Sequence, residues 1–346
     1  MRIAFFQRDL PPAKFGGVAG QVHDLAEALV AVGEEVTVFS LSPAPPGAHY
    51  RVEQVALPER VKRSRFLRRY LLGYYFSRVN VKGFDVVHTH GDNWLMFGKT
   101  PQVRTYYGSA LAEALHARRP SHFFAQLLSW GLELAGLLSP DLRAAISPGT
   151  RRYLPAIDTV VPCGADLRCF SPGAARSAAP SILFVGALKG RKRGDLMLRI
   201  FRKVRSRIPN AELWTVMPEK IKGEGVKSYS GIGGEELARL YRSAWVLCMT
   251  SSYEGFGVPL VEAMASGTPV IAAPTDGSRY VLEDGRHGLL VPPEGMADTL
   301  CGILGSPEKR ASFAAKGLKR AAEFDILKTA EAYRTLYHAV IDKKRQ

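Results

Sequence analysis

The chain has 346 residues, 46% of them apolar, which is too long for one ordinary domain and gives each of two halves enough side chains for a core. Its formal charge of +15 favours anionic partners (phosphates, nucleic acid or acidic lipid), and the excess is spread, with 19 basic against 13 acidic residues over 1–165 and 28 against 19 beyond. Four cysteines without metal-ligand spacing exclude a zinc ribbon or disulfide scaffold, and with an N-terminal apolar run far too short for a secretion signal, Ile3 to Phe6, they point to a cytoplasmic chain.

Residues 2–6 read as a first strand, with Gly16 and Gly17 in the loop that follows. Val18, Val22, Leu25, Ala26, Leu29 and Val30 recur at helical spacing, Gly33 ends that helix, and Val36 to Phe39 make a second strand. A glycine loop between a parallel strand and a helix is where a doubly wound domain seats phosphate. A dinucleotide-binding fold adds an acid after the second strand to hold a ribose. Ser40-Leu41-Ser42 supplies none, which counts against a nicotinamide-dependent dehydrogenase.

Residues 60–69, RVKRSRFLRR, hold six basic residues and no acid, and Leu67, Tyr70, Leu71 and Tyr74 follow at helical spacing. Such a segment either lies on an anionic membrane or docks on its own domain with solvated arginines. Asp85 to Gly91 reads as a strand running into a loop. His90, at its carboxyl end, is the better candidate to face a ligand, and His88 reads more readily as packed. A short strand over 102–106 leads to Tyr107. Phe123 to Ser139, the most apolar long stretch, carries Gln126 and Glu133, falls short of a membrane span and reads as a buried helix.

Residues 173–180, rich in Ala, Ser, Gly and Pro, read as a linker. They set a first domain at 1–165 and a second at 181–326, with a final helix in 327–346. Ile182 to Val185 make a strand, and the loop Gly186 to Gly194 holds Lys189, Arg191, Lys192 and Arg193. Four cations there suit a diphosphate, against the plainer reading of a solvated basic loop. Leu213 to Val216 make another strand, Ser230-Gly231-Ile232-Gly233 a loop, and Leu237, Leu240, Tyr241, Ala244 and Trp245 an amphipathic helix. No nucleic-acid reading motif or aromatic-basic interleaving accompanies the charge.

The most informative stretch is VLCMTSSYEGFGVPLVEAMASGTPVI, residues 246–271. It reads as strand, glycine loop, helix, glycine stop and strand, with Pro259 in the first helical turn and Gly267 at the helix end. Gly255 and Gly257 let the main chain close on a ligand, and the free N–H groups from Val258 onward form an anion seat. Glu254 then lies beside a phosphate held there, and Glu262 reaches a polar group such as a ribose hydroxyl. Two glutamates at this spacing carry little weight without those glycines.

This stretch resembles the E-x7-E signature of retaining GT-B glycosyltransferases, glycosyltransferase family 4, in the run Glu254-Gly255-Phe256-Gly257-Val258-Pro259-Leu260-Val261-Glu262. The resemblance implies an α/β fold of two Rossmann-like doubly wound domains facing each other across a cleft, with the final helix crossing back to the first. It also implies transfer from a nucleoside diphosphate sugar, UDP- or GDP-linked, with retention and with neither metal nor other cofactor. Gly16 and Gly17 match the family's N-terminal donor loop. His88, His90 and Tyr107 match its acceptor side, with His90 a catalytic candidate, although many relatives have histidine where this chain has Tyr107. Gly231 and Ile232 fall where the base is contacted, and Gly255, Phe256, Gly257 and Val258 line the donor. Ala187 stands in place of the family's arginine, while Arg191-Lys192 match its later cation, so Lys192 and then Arg191 are the expected diphosphate ligands, with Glu254 orienting the sugar. Cys163 replaces the family's usual asparagine in the interdomain passage, and Met217-Pro218 its Gly-x-Gly. The acceptor is unspecified, lipid-linked or cell-envelope glycan being the candidates. Basic patches in relatives that glycosylate membrane lipids favour the membrane reading of 60–69, at the inner face. A degenerate, nucleotide-binding homologue without turnover is the alternative that the departures leave open.

Overall fold

The computed structural model describes residues 1–13, 16–91, 96, 98, 100–117, 119–173 and 175–346; of Arg65 it describes the backbone alone. The chain divides into two units. The first comprises Met1–Leu115, Ser121–Gly164 and Ile326–Gln346. In chain order it contains β1 (Arg2–Phe6), α1 (Gly17–Ala31), β2 (Glu35–Ser40), β3 (Arg51–Gln54), α2 (Glu59–Arg63), α3 (Arg65–Ser77), β4 (Val86–His90), β5 (Gln102–Tyr106), α4 (Ala110–Leu115), α5 (Pro120–Ala135), β6 (Leu142–Ala145) and β7 (Thr159–Val160), then the final helix, Ile326–Arg345.

Its seven strands pair in parallel in the order β3-β2-β1-β4-β5-β6-β7. The winding reverses between β1 and β4, so the loops leaving those two strands diverge and open a crevice at their carboxyl ends. Alternation along β1 feeds two cores. Ile3 and Phe5 pack with Val22, Leu25 and Leu29 of α1 and with Tyr333, Tyr337 and Ile341 of the final helix. Ala4 and Phe6 face Val61 of α2 and Leu72 and Phe76 of α3. Gly164 is required where the chain meets the final helix, since a Cβ there would lie 2.5 Å from the Ile326 Cα.

Two readings of this unit change. The basic stretch 60–69 is not one helix. It breaks at Ser64, whose hydroxyl caps α3 by accepting from the Leu67 N–H at 3.2 Å. Leu67 packs toward the core, and the outward apolar residues of α3 are Phe66, Leu71 and Tyr74. Nor does α5 bury all its apolar residues, although Trp130 and Leu134 pack on Tyr106, Leu137 and Leu154. It buries Gln126, Ser129 and Glu133 and exposes Phe124, Leu127 and Leu128. The reason is hydrogen bonding to neighbours. The Glu133 carboxylate accepts from the Ala110 N–H at the start of α4 (2.9 Å), and Gln126 joins Glu113 at 2.6 Å and Arg69 of α3 at 2.8 Å. An unsatisfied helix end and a buried guanidinium cost more than several exposed apolar side chains.

The second unit comprises His116–Pro120 and Ala165–Asp325. It contains β8 (Ser181–Val185), α6 (Gly194–Arg205), β9 (Glu212–Val216), β10 (Val226–Tyr229), α7 (Gly234–Ser243), β11 (Val246–Met249), α8 (Val258–Ala265), β12 (Val270–Ala272), α9 (Asp276–Leu282), β13 (Leu289–Leu290), α10 (Met296–Leu304) and α11 (Pro307–Ala321); the final helix is then α12. Six parallel strands run β10-β9-β8-β11-β12-β13, with the reversal between β8 and β11. Ile182, Phe184, Leu213, Val246 and Ile271 share a core with Met197, Phe201 and Val204 of α6 and Leu300 of α10. Residues 173–180, read as a linker, are tied to this unit through Arg176, whose guanidinium donates to the Ala244 carbonyl at 2.7 Å and to the Thr268 hydroxyl. Ala174 lies outside the described residues.

Candidate active site

In the second unit, the loops leaving β8 and β11 meet at the point where the strand order reverses. The Ser252 N–H donates to the Arg191 carbonyl at 2.8 Å. The buried Thr250 hydroxyl is shared between the carbonyls of Lys192 and Arg193, both at 3.0 Å. Arg193 sits at φ 56°, a left-handed conformation that costs a non-glycine residue about 1–2 kcal/mol, and Thr250 helps to hold it there. The turn thereby brings two cations onto one carboxylate. Lys192 Nζ lies 2.7 Å from Glu254 Oε1, and Arg191 Nη1 lies 2.7 Å from Oε2 and 3.1 Å from the Tyr253 carbonyl.

Glu254 is 5% exposed. Burial alone pushes its carboxyl up, but Lys192 and Arg191 together more than offset that and hold it at about 2. For Lys192, burial lowers the ammonium and Glu254 restores only part of it. The three side chains carry two positive charges and one negative, which suits a diphosphate arriving beside them. Gly257, at φ 111°, opens α8, whose first N–H groups are the expected anion seat. Gly277 fixes the other side of the loop. Its N–H donates to the Glu254 carbonyl at 3.1 Å, and a Cβ there would lie 2.7 Å from that oxygen.

Glu262 lies one helical turn along α8, partly exposed, and its Oε2 accepts from the Tyr241 hydroxyl at 2.7 Å. The protein packed around it raises its carboxyl to about 7, against lowering by the Tyr241 hydrogen bond and by Lys192. Two further loops leave the same sheet edge. The Met217 N–H donates to the Tyr229 carbonyl, Ser230 Oγ donates to the Pro218 carbonyl at 3.2 Å, and Gly231, at φ 67°, turns the chain toward Ile232 and α7.

In the first unit, Gly16 and Gly17 have φ of 70° and 56° at the start of α1, conformations that favour glycine although a Cβ at either would meet nothing. The buried Arg104 of β5 donates to the Gly91 carbonyl at 3.1 Å and braces the loop after β4. His88 is a core residue. Its Nδ1 pairs with the Tyr337 hydroxyl at 2.6 Å and its Nε2 with Thr105 Oγ1 at 2.7 Å, so it is not placed to meet an acceptor. His90 is 1% exposed, with Nδ1 3.1 Å from the Tyr107 hydroxyl. Burial lowers its imidazole to about 3, so the ring is neutral near pH 7. Tyr107 is half-buried, and burial keeps its phenol protonated.

Residues 179–306 match the profile described as Glycosyl transferases group 1, and residues 15–168 that described as Glycosyltransferase Family 4. The chain belongs to glycosyltransferase family 4. It is a retaining glycosyltransferase that uses a nucleotide-sugar donor. A D-inositol 3-phosphate glycosyltransferase of Frankia alni is 28% identical, over 94% of this chain and 95% of that one. A phosphatidyl-myo-inositol mannosyltransferase of Mycolicibacterium smegmatis is 29% identical, over 90% and 86%. Among solved structures, a sucrose-phosphate synthase from Thermosynechococcus elongatus superposes with a TM-score of 0.82 at 24% identity, over 99% of both chains, which establishes the GT-B fold.

Of the residues singled out in this family 4 enzyme, Lys192, Arg191 and Glu254 are in direct contact. Gly255 to Val258 run from Glu254 into α8, which carries Glu262, and Gly231 and Ile232 sit at the same sheet edge. Sequence reasoning missed the roles of Thr250, Tyr241 and Arg104, whereas Asp276-Gly277-Ser278 already resembles the family's glycine turn. For Thr250 the adjoining strand end was a signal; for Tyr241 and Arg104, partners distant in sequence left none.

Proposed function

We propose that the second unit binds the donor's diphosphate between Lys192, Arg191 and the start of α8, and that Glu254 holds both cations in place and orients the sugar. The observation that carries this reading is the Glu254 carboxylate bridging Lys192 and Arg191 where the strand order reverses between β8 and β11. When the glycosidic bond breaks, its electron pair leaves with the diphosphate, and the cations stabilise the charge as it grows. Arg191 supplies the second positive charge that Ala187 does not. Glu262 accepts from a ribose hydroxyl, and backbone at Gly231 and Ile232 meets the base. In the first unit, Gly16 and Gly17 offer the start of α1 to a phosphate, and Tyr107, with His90 behind it, offers a neutral hydrogen-bonding wall to the acceptor in place of a proton-transferring histidine.

For the acceptor we propose a lipid-linked or cell-envelope glycan met at an anionic membrane surface, with residues 60–69 making the contact. Support comes from the exposed Arg60, Lys62, Arg63 and Arg68 and from the relative whose name specifies a phosphatidyl-inositol acceptor. No helix among the described residues is long and apolar enough to cross a membrane, so contact would be peripheral. The donor reading is tested with Lys192→Ala, which should lower turnover more than it raises the donor's dissociation constant, since leaving-group charge peaks in the transition state. Full turnover in that variant would remove Lys192 from the diphosphate site.

A further inference from the structure

The basic segment 60–69 carries less attraction than its composition suggests. Glu59 stands 3.0 Å from Lys62 and 3.9 Å from Arg63, and Arg69 turns inward to Gln126. Beside it lies a feature that the charge count does not reveal. The helices α3 and α5 are joined by the Arg69–Gln126 bond and by the Tyr70 hydroxyl donating to the Ala125 carbonyl at 3.3 Å. The large apolar side chains these two helices leave exposed are Phe66, Leu71 and Tyr74 on α3 and Phe124, Leu127 and Leu128 on α5. Phe66 is 62% exposed and Phe124 65%. The α5 residues recur at helical spacing, with the polar side of the same helix locked inward by Glu133 and Gln126. This orientation is fixed by buried hydrogen bonds, so the helix cannot roll to hide its apolar side without breaking them.

From this geometry we infer that the joined outer faces of α3 and α5 insert shallowly into an anionic lipid leaflet, with the basic rim on α2 and α3 resting on the headgroups. The inference deepens the membrane reading above and rests on it. Charge complementarity selects the occupant: exposed Arg60, Lys62, Arg63 and Arg68 flank the aromatic and aliphatic face, in a chain of net charge +15. A helix lying in the interface with an apolar face down and cations at its edge is the arrangement that anionic lipid favours. Insertion changes the expected response to salt. Attraction by the rim alone would disappear once charges are screened, whereas apolar insertion persists.

The test is co-sedimentation with phosphatidylcholine vesicles, with and without phosphatidylglycerol, at low salt and at about 1 M salt, where the screening length falls to about 3 Å. The proteins are wild type, the triple variant Phe124→Ser/Leu127→Ser/Leu128→Ser, and the triple variant Arg60→Gln/Arg63→Gln/Arg68→Gln. Wild type should pellet with anionic vesicles and stay partly bound at high salt. The α5 variant should partition about tenfold or more weakly at low salt and release completely at high salt. The arginine variant should lose the preference for phosphatidylglycerol while keeping salt-resistant binding. An unchanged thermal shift with a nucleoside diphosphate shows that each variant is folded. If the α5 variant partitions as wild type does, insertion is refuted and the basic-rim reading stands. If wild type pellets with no vesicle, both fall. If it self-associates through this face, ignores vesicles, and the α5 variant is monomeric, a second copy of the chain is the occupant and the inference is overturned.

Discussion

Replacing Glu262 by glutamine should make the ligand-free protein more stable and a poorer donor binder, in a pH-dependent way. The folded carboxyl titrates at about 7 rather than its ordinary 4.5. Between those values the folded chain holds a proton that the unfolded chain has lost. Stability therefore falls as pH rises from 4.5 through 7, and above that the penalty is complete. At about 1.4 kcal/mol per pH unit it reaches about 3 kcal/mol, an upper figure because the side chain keeps some exposure. Glutamine removes the penalty, and its carbonyl can still accept from Tyr241, 2.7 Å away from the present oxygen. Melting curves at pH 5 and pH 8 read this directly. The Glu262→Gln gain should be small at pH 5 and larger at pH 8, with about 2–4 °C for each kcal/mol. If a ribose hydroxyl needs the carboxylate, wild-type affinity for the nucleoside diphosphate should drop about 50-fold from pH 7 to pH 5, and the variant's should not follow it. Equal melting of the two proteins at both pH values would refute the raised carboxyl. Equal affinity at pH 8 would remove Glu262 from the ribose site.

Glu254→Gln should bind a nucleoside diphosphate as tightly as wild type or more tightly, because Lys192 and Arg191 lose a competing carboxylate, yet turn over far more slowly; affinity and turnover falling together would show that Glu254 holds the cations and does nothing further. Thr250→Val keeps the side chain's shape but removes the hydroxyl that bonds the Lys192 and Arg193 carbonyls. It should cost about 1 kcal/mol of stability and lower turnover further than that loss explains, and a fully active variant would show the turn to be self-supporting. Gly277→Ala should push the Glu254 loop outward, visible as a lower melting temperature together with weaker donor binding; an unperturbed variant would contradict the close packing of α9 on that loop.

The loop and helix around Glu254 and Glu262 were legible because their determinants are local: an apolar strand, glycines at forced turns and Pro259 in the first helical turn. The pairing of Lys192 and Arg191 with Glu254 spans some sixty residues, and only the shared sheet edge brought them under one hypothesis. Strands such as β3, β6, β7, β10 and β13 escaped because they have two to four residues, too short for alternation to show. α5 was misread for a different reason. Its apolar count pointed inward, but Glu133 and Gln126 have partners on α4 and α3 that no periodicity contains. His88 was legible as a packed residue, but its partners Tyr337 and Thr105, which occupy both ring nitrogens, lie too far away in sequence to be named.

The central claim is that Lys192 and its partners grip the donor's diphosphate, and the most direct measurement compares nucleoside diphosphate with nucleoside monophosphate binding by calorimetry in wild type and Lys192→Ala, using whichever of the uridine or guanosine series stabilises the wild type. The second phosphate should strengthen wild-type binding by about tenfold or more, as a charge-assisted contact does. In Lys192→Ala that advantage should collapse while monophosphate affinity stays near the wild-type value. An advantage of equal size in both proteins would contradict the account and place the diphosphate elsewhere.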